Sequence, residues 1–195
     1  LFDALLAKTE GGLLPARRIL HTVLEALSPI WPGRIVLLGV NLGDVWSHPK
    51  IGGSGPTAHL VPFHKLSQWL TYSLLEPLAL AGIEVIGVDE LTGLAEYRNG
   101  GLFVDSEVLV PTHDEVTRGA HPPGSEIIVE WRALTIALRD RVAAGLRTSL
   151  GLDAVTLPVA RVLEGGTWAA GREIALEKRA GGGPPITIAS DGTVF

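Results

Sequence analysis

The segment between Pro122-Pro123-Gly124 and Gly151 constrains the fold of this chain more than any other. Helix breakers bound it on both sides, and no proline interrupts it. Ser125 stands where an N-cap hydroxyl can take an unsatisfied backbone N–H. Glu126 follows in the first turn, at the positive end of the dipole. Ile127, Trp131, Leu134, Leu138 and Val142 recur every three or four residues, an apolar stripe at helical period. The pattern predicts one long helix from Ser125 to about Leu150.

Other segments repeat that logic on a smaller scale. Pro15 to Leu27 carries Ile19, Leu20, Val23, Leu24 and Leu27 on one stripe, with Pro29 just beyond. Phe63 to Ala81 predicts a long helix bent at Pro77 and closed by Gly82. Asp89 to Asn99 predicts a shorter helix stopped by Gly100-Gly101, and Pro158 to Lys178 a further one. Residues 34–40 read either as a short buried strand or as the start of a packed helix. Trp46 to Pro62 and His113 to Gly124 read as loops. Ile186-Thr187-Ile188 predicts a short strand, with a turn at Asp191-Gly192. No alternation of strand and helix appears, which argues against a Rossmann core. The expected class is mainly α, with a few short strands, residues 1–195 forming a single domain.

The 195 residues are enough for a real core. Apolar residues make up 46% and the mean hydropathy is +0.31. Even so, the most apolar region, Leu70 to Ile86, contains Glu76 and Pro77 and reads as a buried helix with its exit. The expected chain therefore engages no membrane. A net charge of −5 lacks the basic stripe of a nucleic-acid binder, so no nucleic-acid partner is expected. Zero cysteines exclude disulfides and thiolate chemistry and fit a cytoplasmic location. Leu1-Phe2-Asp3 lacks the basic region and cleavage site of a signal peptide. The histidines form no pair at ligand spacing on a helix, and no Gly-x-Ser-x-Gly elbow occurs. No metal or cofactor is expected.

Chemistry concentrates in Leu91-Thr92-Gly93-Leu94-Ala95-Glu96-Tyr97-Arg98-Asn99-Gly100-Gly101. Four consecutive residues carry a carboxylate, a phenol, a guanidinium and an amide, which cannot all point one way on a helix. One alternative is a functional cluster. The other is a helix C-terminus closed by glycine, with Arg98 near the negative end of the dipole.

Elsewhere each candidate has two readings. Glu76 is the one charge between Leu70 and Ile83, so partial burial is expected, with either a cationic partner or a raised pKa. Asp44 either binds sugar hydroxyls or caps a loop. His64, Gln68, Trp69 and Tyr72 share one region of a helix, where they either meet a ligand or pack. Lys50 beside Gly52-Gly53-Ser54-Gly55 reads as a phosphate cradle or as a mobile loop. Gly165-Gly166 most simply admits a neighbouring helix. Arg172 either binds a phosphate or pairs with Glu164 or Glu173.

LTGLAEYRNGG is similar to a signature of the uncharacterised uracil-catabolism family, whose members belong to a pyrimidine-degradation route through a ring-opened ribosylurea. Val61 to Leu74, Val129 to Thr135, Val162 to Arg172 and Ser190 to Phe195 match the same family in the same order. Its proteins are roughly twice this length, so the chain reads as a C-terminal portion. A more distant resemblance is to the queuosine-salvage N-glycosylases, which carry Ala-Asp-Tyr-Arg and, downstream, Glu-Ile-Arg. Here Ala95-Glu96-Tyr97-Arg98 and Glu130-Trp131-Arg132 occur in that order, with Glu for Asp and Trp for Ile. This resemblance implies a fold like that of helical DNA glycosylases and cleavage of an N-ribosidic bond by the motif acid.

Such cleavage passes through an oxocarbenium-like state and needs a carboxylate near the ribose. Glu96 is the first candidate and Glu130 the second, and two carboxylates on one cavity would divide the roles. Glu130 alternatively pairs with a neighbouring arginine. Asp44, His64, Gln68, Trp69, Tyr72, Tyr97 and Arg98 are the expected substrate contacts. The expected partner is a small ribosyl substrate, ribosylurea or its phosphate. A hydrolase of the ureido C–N bond, or a non-catalytic partner of other pathway enzymes, are the competing readings. Acidic groups on a closed cavity favour catalysis, whereas an exposed apolar face with Glu96 tied into a salt bridge favours the partner role.

Overall fold

The computed structural model describes residues 1–190 and 192, and the chain is mainly α. Its α-helices are α1 (Phe2–Leu6), α2 (Ala16–Leu27), α3 (Lys65–Ser73), α4 (Leu75–Leu80), α5 (Tyr97–Asp105), α6 (Glu126–Leu150), α7 (Val159–Val162) and α8 (Ala169–Lys178). The strands are β1 (Leu13–Pro15), β2 (Val36–Leu37), β3 (Val40–Asn41), β4 (Val45–Ser47), β5 (Leu60–Pro62), β6 (Glu84–Ile86), β7 (Ala120–His121) and β8 (Thr187–Ile188). Among the described residues they form four separate two-stranded pairs, of which β1–β6 and β7–β8 are parallel. Residues 34–40 thus form neither a packed helix nor a single buried strand, but part of the small β2–β3 hairpin. The long Gly- and Pro-rich loop is closed at its base by antiparallel β4 and β5. The expected turn at Asp191 lies outside the described residues.

The long helix α6 starts and stops where its caps require. Ser125 accepts from the Ile128 N–H at 3.4 Å, and Gly151 closes the helix at φ +66°. Its buried face is rotated from the expected stripe, however. Ile128, Trp131, Arg132, Thr135, Arg139 and Ala143 are buried, whereas Leu134 is exposed. Two arginines sit inside because other elements supply their acceptors, which no periodicity of apolar residues can register.

The single helix expected over Phe63–Ala81, bent at Pro77, is two helices, α3 ending at Ser73 and α4 starting at Leu75. Pro77 lacks an N–H for the Ser73 carbonyl, and its ring clashes with that carbonyl, so the chain breaks one turn upstream. Glu76 is exposed on α4, contrary to its expected burial. The break lets Leu78 turn inward beside Leu5, Leu14, Ile19, Val23 and Ile83 while Glu76 faces out.

The largest departure concerns residues 89–105. No α-helix runs from Asp89 to Asn99. A short 3-10 turn covers Val88–Glu90, and α5 begins at Tyr97 and passes through Gly100 and Gly101. These glycines admit neighbours instead of ending a helix. A Cβ on Gly100 would lie 2.6 Å from Thr135 Oγ1 and 2.9 Å from Trp131 Nε1 of α6. A Cβ on Gly171 of α8 would lie 2.0 Å from the Arg98 carbonyl oxygen of α5. Mid-helix glycine costs about 1 kcal/mol against alanine, and tertiary packing on both sides offsets it. Among the described residues no helix is long and apolar enough to cross a membrane.

Candidate active site

Glu96 is the N-cap of α5, in extended backbone just before the first helical turn. Its Oε2 accepts from the N–H of Arg98 at 2.8 Å and of Asn99 at 3.2 Å. Two of the helix's orphan donors are thereby satisfied. Oε1 forms no hydrogen bond among the described residues. Burial raises the Glu96 pKa above the ordinary carboxylate range, outweighing these two N–H groups and the nearby charges of Lys65 and Arg98. The carboxylate is anchored by one oxygen and free at the other.

It lines a cavity of about 500 Å³. Around it stand Trp69, Tyr72 and Ser73 from α3, Leu94 and Asn99 flanking the α5 start, Ala160 of α7, and Leu163 and Trp168. The last two bound a π-helical stretch, Leu163–Trp168, a local widening found often at functional sites. The regular helix expected over Pro158–Lys178 is interrupted there. Gly165 meets nothing within 4 Å, so the close approach expected at Gly165-Gly166 occurs instead at Gly171.

Beneath this cavity lies a buried polar layer. Asn99 is 1% exposed, and its Oδ1 accepts from Thr167 Oγ1 at 2.7 Å. Arg139, also 1% exposed, donates to the Leu94 carbonyl at 3.1 Å and to Thr167 Oγ1 at 3.4 Å. Its Nη2 is buried with no hydrogen-bond partner among the described residues. Burial lowers the Arg139 pKa to about 10, against the charges of Tyr72, Asp140 and Glu96, so it remains cationic at neutral pH. Tyr72 donates to the Thr92 carbonyl at 2.6 Å, and burial pushes its pKa to about 12.

Of the expected site residues, Glu96, Trp69 and Tyr72 meet on this cavity. Tyr97 and Arg98 turn the other way, into a smaller cavity of about 170 Å³. Glu130 is not among the residues lining either one. It lies half-exposed, 3.6 Å from Lys50 Nζ and 3.8 Å from His48 Nε2, so its ionic neighbours are a lysine and a histidine. Gln68 is buried and structural: Nε2 donates to the Phe63 carbonyl at 3.1 Å and Oε1 accepts from Thr92 Oγ1 at 3.0 Å.

Asp44 and His64 sit together at a narrow crevice beside Trp31. Both Asp44 oxygens are engaged, Oδ1 with Arg132 Nη1 and Trp46 Nε1, Oδ2 with Arg132 Nη2 and the Lys65 N–H. No oxygen of Asp44 is left for a sugar hydroxyl. His64 begins α3 at φ +47°, and burial lowers its pKa despite the Asp44 charge. Lys50 lies beside Glu130, and Arg172 stacks 5.7 Å from the Trp168 ring. Among the described residues no three His, Asp or Glu side chains converge as a metal site.

Sequence reasoning missed Leu163, Trp168 and Arg139 as parts of this site, and noted Asn99 in the cluster without giving it a role. Arg132, Thr135 and Arg139 do share one helical face, and that polar spacing on a core helix was the available signal. Trp168 follows the Gly165-Gly166 pair, but the π-turn that aims it was not legible.

Comparison with known proteins bears on this arrangement. The chain is 45% identical over 172 residues to Protein urg3 of Schizosaccharomyces pombe, covering 87% of this chain and 42% of that one. It is 43% identical over 198 residues to Uracil catabolism protein 4 of Lachancea kluyveri, covering 90% of this chain and 44% of that one. The chain thus spans less than half the length of these curated relatives. No solved structure matches, and the expected likeness to helical DNA glycosylases gains no support. The family described as "Protein of unknown function (DUF1688)" matches residues 1–195, and with these two relatives it bears out the resemblance to the uracil-catabolism family: the chain belongs to that family.

Proposed function

We propose that this chain acts in pyrimidine breakdown, the name of its Lachancea relative giving uracil catabolism for that protein, by hydrolysing an N-ribosidic bond of ribosylurea or its phosphate. One observation carries the reading. Glu96 is held by its helix through Oε2, its Oε1 makes no hydrogen bond among the described residues, and the residue lines a cavity walled by Trp69, Tyr72 and Trp168. A carboxylate fixed on one side and open on the other is preorganised for a charge that develops in the transition state.

In this reading the bond between ribosyl C1′ and the ureido nitrogen breaks, and its electron pair leaves with the nitrogen. Glu96 stabilises the positive charge at C1′ and accepts a proton from the attacking water. That proton passes to the departing nitrogen, so ribose (or its phosphate) and urea are released. A raised pKa suits this role, because a carboxylate nearer neutrality both takes and returns a proton. The planar ureido group suits the indole walls, and the Asn99 amide suits its carbonyl or amine. The free Oε1 also weighs against the partner reading, which called for Glu96 in a salt bridge.

The test is mass spectrometry of products after incubating the protein with ribosylurea and its 5′-phosphate. Urea and ribose are expected from the glycosidic route, ammonia and carbon dioxide from ureido cleavage. Glu96→Gln should lower turnover by roughly 10²–10⁴-fold, the range for a positioned acid–base group. Wild-type rates from a Glu96→Gln protein that melts like wild type would defeat the proposal.

A further inference from the structure

The first turn of α5 serves two cavities. Glu96 and Asn99 face the large one, whereas the intervening Tyr97 and Arg98 face the small one. Trp168 lines both and forms their common wall. From α8, Arg172 and Leu176 complete the small cavity, one and two turns beyond Trp168.

Two guanidinium groups therefore border a space of about 170 Å³, and among the described residues its lining includes no carboxylate. Among the described residues neither Arg98 nor Arg172 forms an ion pair. Arg98 is oriented by donating to the Gly182 carbonyl and stacking 4.8 Å from the Tyr97 ring. Arg172 is oriented by its contact with Trp168. Like charges facing one cavity repel, and an anion between them reverses the sign of that interaction. Guanidinium forks match the oxygens of a phosphate group. Partial burial of Arg98 and the aromatic walls exclude part of the competing water.

We infer that this small cavity is a phosphomonoester subsite, and that the phosphate it takes is carried by the ribosyl substrate of the large cavity. The inference rests on the hydrolytic reading above for the identity of that substrate, though not for the anion site itself. The 5′-phosphate of a ribosyl group extends a few bonds beyond the sugar ring, in keeping with two cavities that share a wall. Arg172 is exposed and crosses no packed interface, so it is the residue to change.

Two measurements test this on the purified protein. The first is kcat/KM for ribosylurea 5′-phosphate relative to ribosylurea. Wild type should prefer the phosphate, and Arg172→Gln should reduce that preference by roughly 10- to 100-fold, as expected for a lost charge-assisted contact. Arg172→Lys should restore part of it. The second is thermal denaturation with inorganic phosphate against chloride at equal ionic strength. Phosphate at about ten times its dissociation constant should raise the wild-type melting temperature by about 3–6 °C, and that of Arg172→Gln by less.

Equal use of both substrates, with the same phosphate response in both proteins, would overturn the subsite and leave the hydrolytic reading standing. If neither substrate is cleaved but phosphate stabilises wild type more than Arg172→Gln, the anion site stands and the hydrolytic reading falls. Absence of both signals rejects both.

Discussion

Asp44 and Glu96 are acids in the interior of one molecule, and their surroundings treat them in opposite ways. Burial alone would raise the Asp44 pKa. The hydrogen bonds and charge of Arg132, with the Lys65 N–H and Trp46, outweigh it and hold the carboxyl below its ordinary value. At Glu96 burial wins over two backbone N–H groups and two more distant charges. Asp44 joins β4, α3 and α6 through four hydrogen bonds, and Arg132 also stacks 4.0 Å from the Phe63 ring. Among the described residues Glu96 accepts hydrogen bonds only from its own helix. A carboxylate whose oxygens are all taken is architecture, whereas one with a free oxygen on a cavity has capacity for chemistry.

Substitutions at the two sites should separate these roles. The largest effect on stability is expected at Asp44. Asp44→Asn removes a counter-charge from Arg132, which is fully buried, and turns an amide N–H₂ toward it. A loss of about 3–5 kcal/mol is expected by urea unfolding, as for other buried pairs broken on one side. A loss near zero would show that Asp44 is not the structural member of the comparison.

Glu96→Gln should cost about 1 kcal/mol or less, since an amide oxygen can still cap α5. Its signature is a pH dependence. The folded-state pKa of Glu96 lies above its unfolded value of 4.5, so the contribution of its protonated form is complete below that value. It is lost as pH rises through the folded pKa. The unfolding free energy of wild type, less that of Glu96→Gln, should therefore decline as pH rises above about 4.5. Asp44 acts in the opposite sense: its contribution is complete above 3.8 and is lost as pH falls through its lowered folded pKa. A flat difference curve for Glu96→Gln would erase the contrast between the two acids.

The smallest effect is expected at Glu76. Exposed on α4, its change to Gln should alter stability by no more than about 0.5 kcal/mol. A larger loss by urea unfolding would restore a structural role that its position does not support.

Much of the helical frame was legible. Ser125 and Gly151 bound α6 as their chemistry requires, and α2 follows its apolar stripe. The same reasoning misjudged Gly100-Gly101, because a glycine that ends a helix and one that admits a neighbour are identical in sequence. It also set the α6 stripe on Leu134 and Leu138 instead of Arg132, Thr135 and Arg139. Which polar groups go inside depends on partners far along the chain: Arg132 reaches Asp44 and Arg139 reaches Leu94 and Thr167.

By itself, then, the sequence determined the mainly α class, the caps of α6, the family and the first acid to suspect. Those follow from local stereochemistry and from motifs contiguous along the chain. Only the tertiary structure decided that Glu96 begins its helix instead of nearly ending it, that Glu130 lies outside its cavity, and that Trp168 divides two cavities. Each of those depends on backbone approach and charge pairing between segments distant in sequence, and no local pattern encodes them.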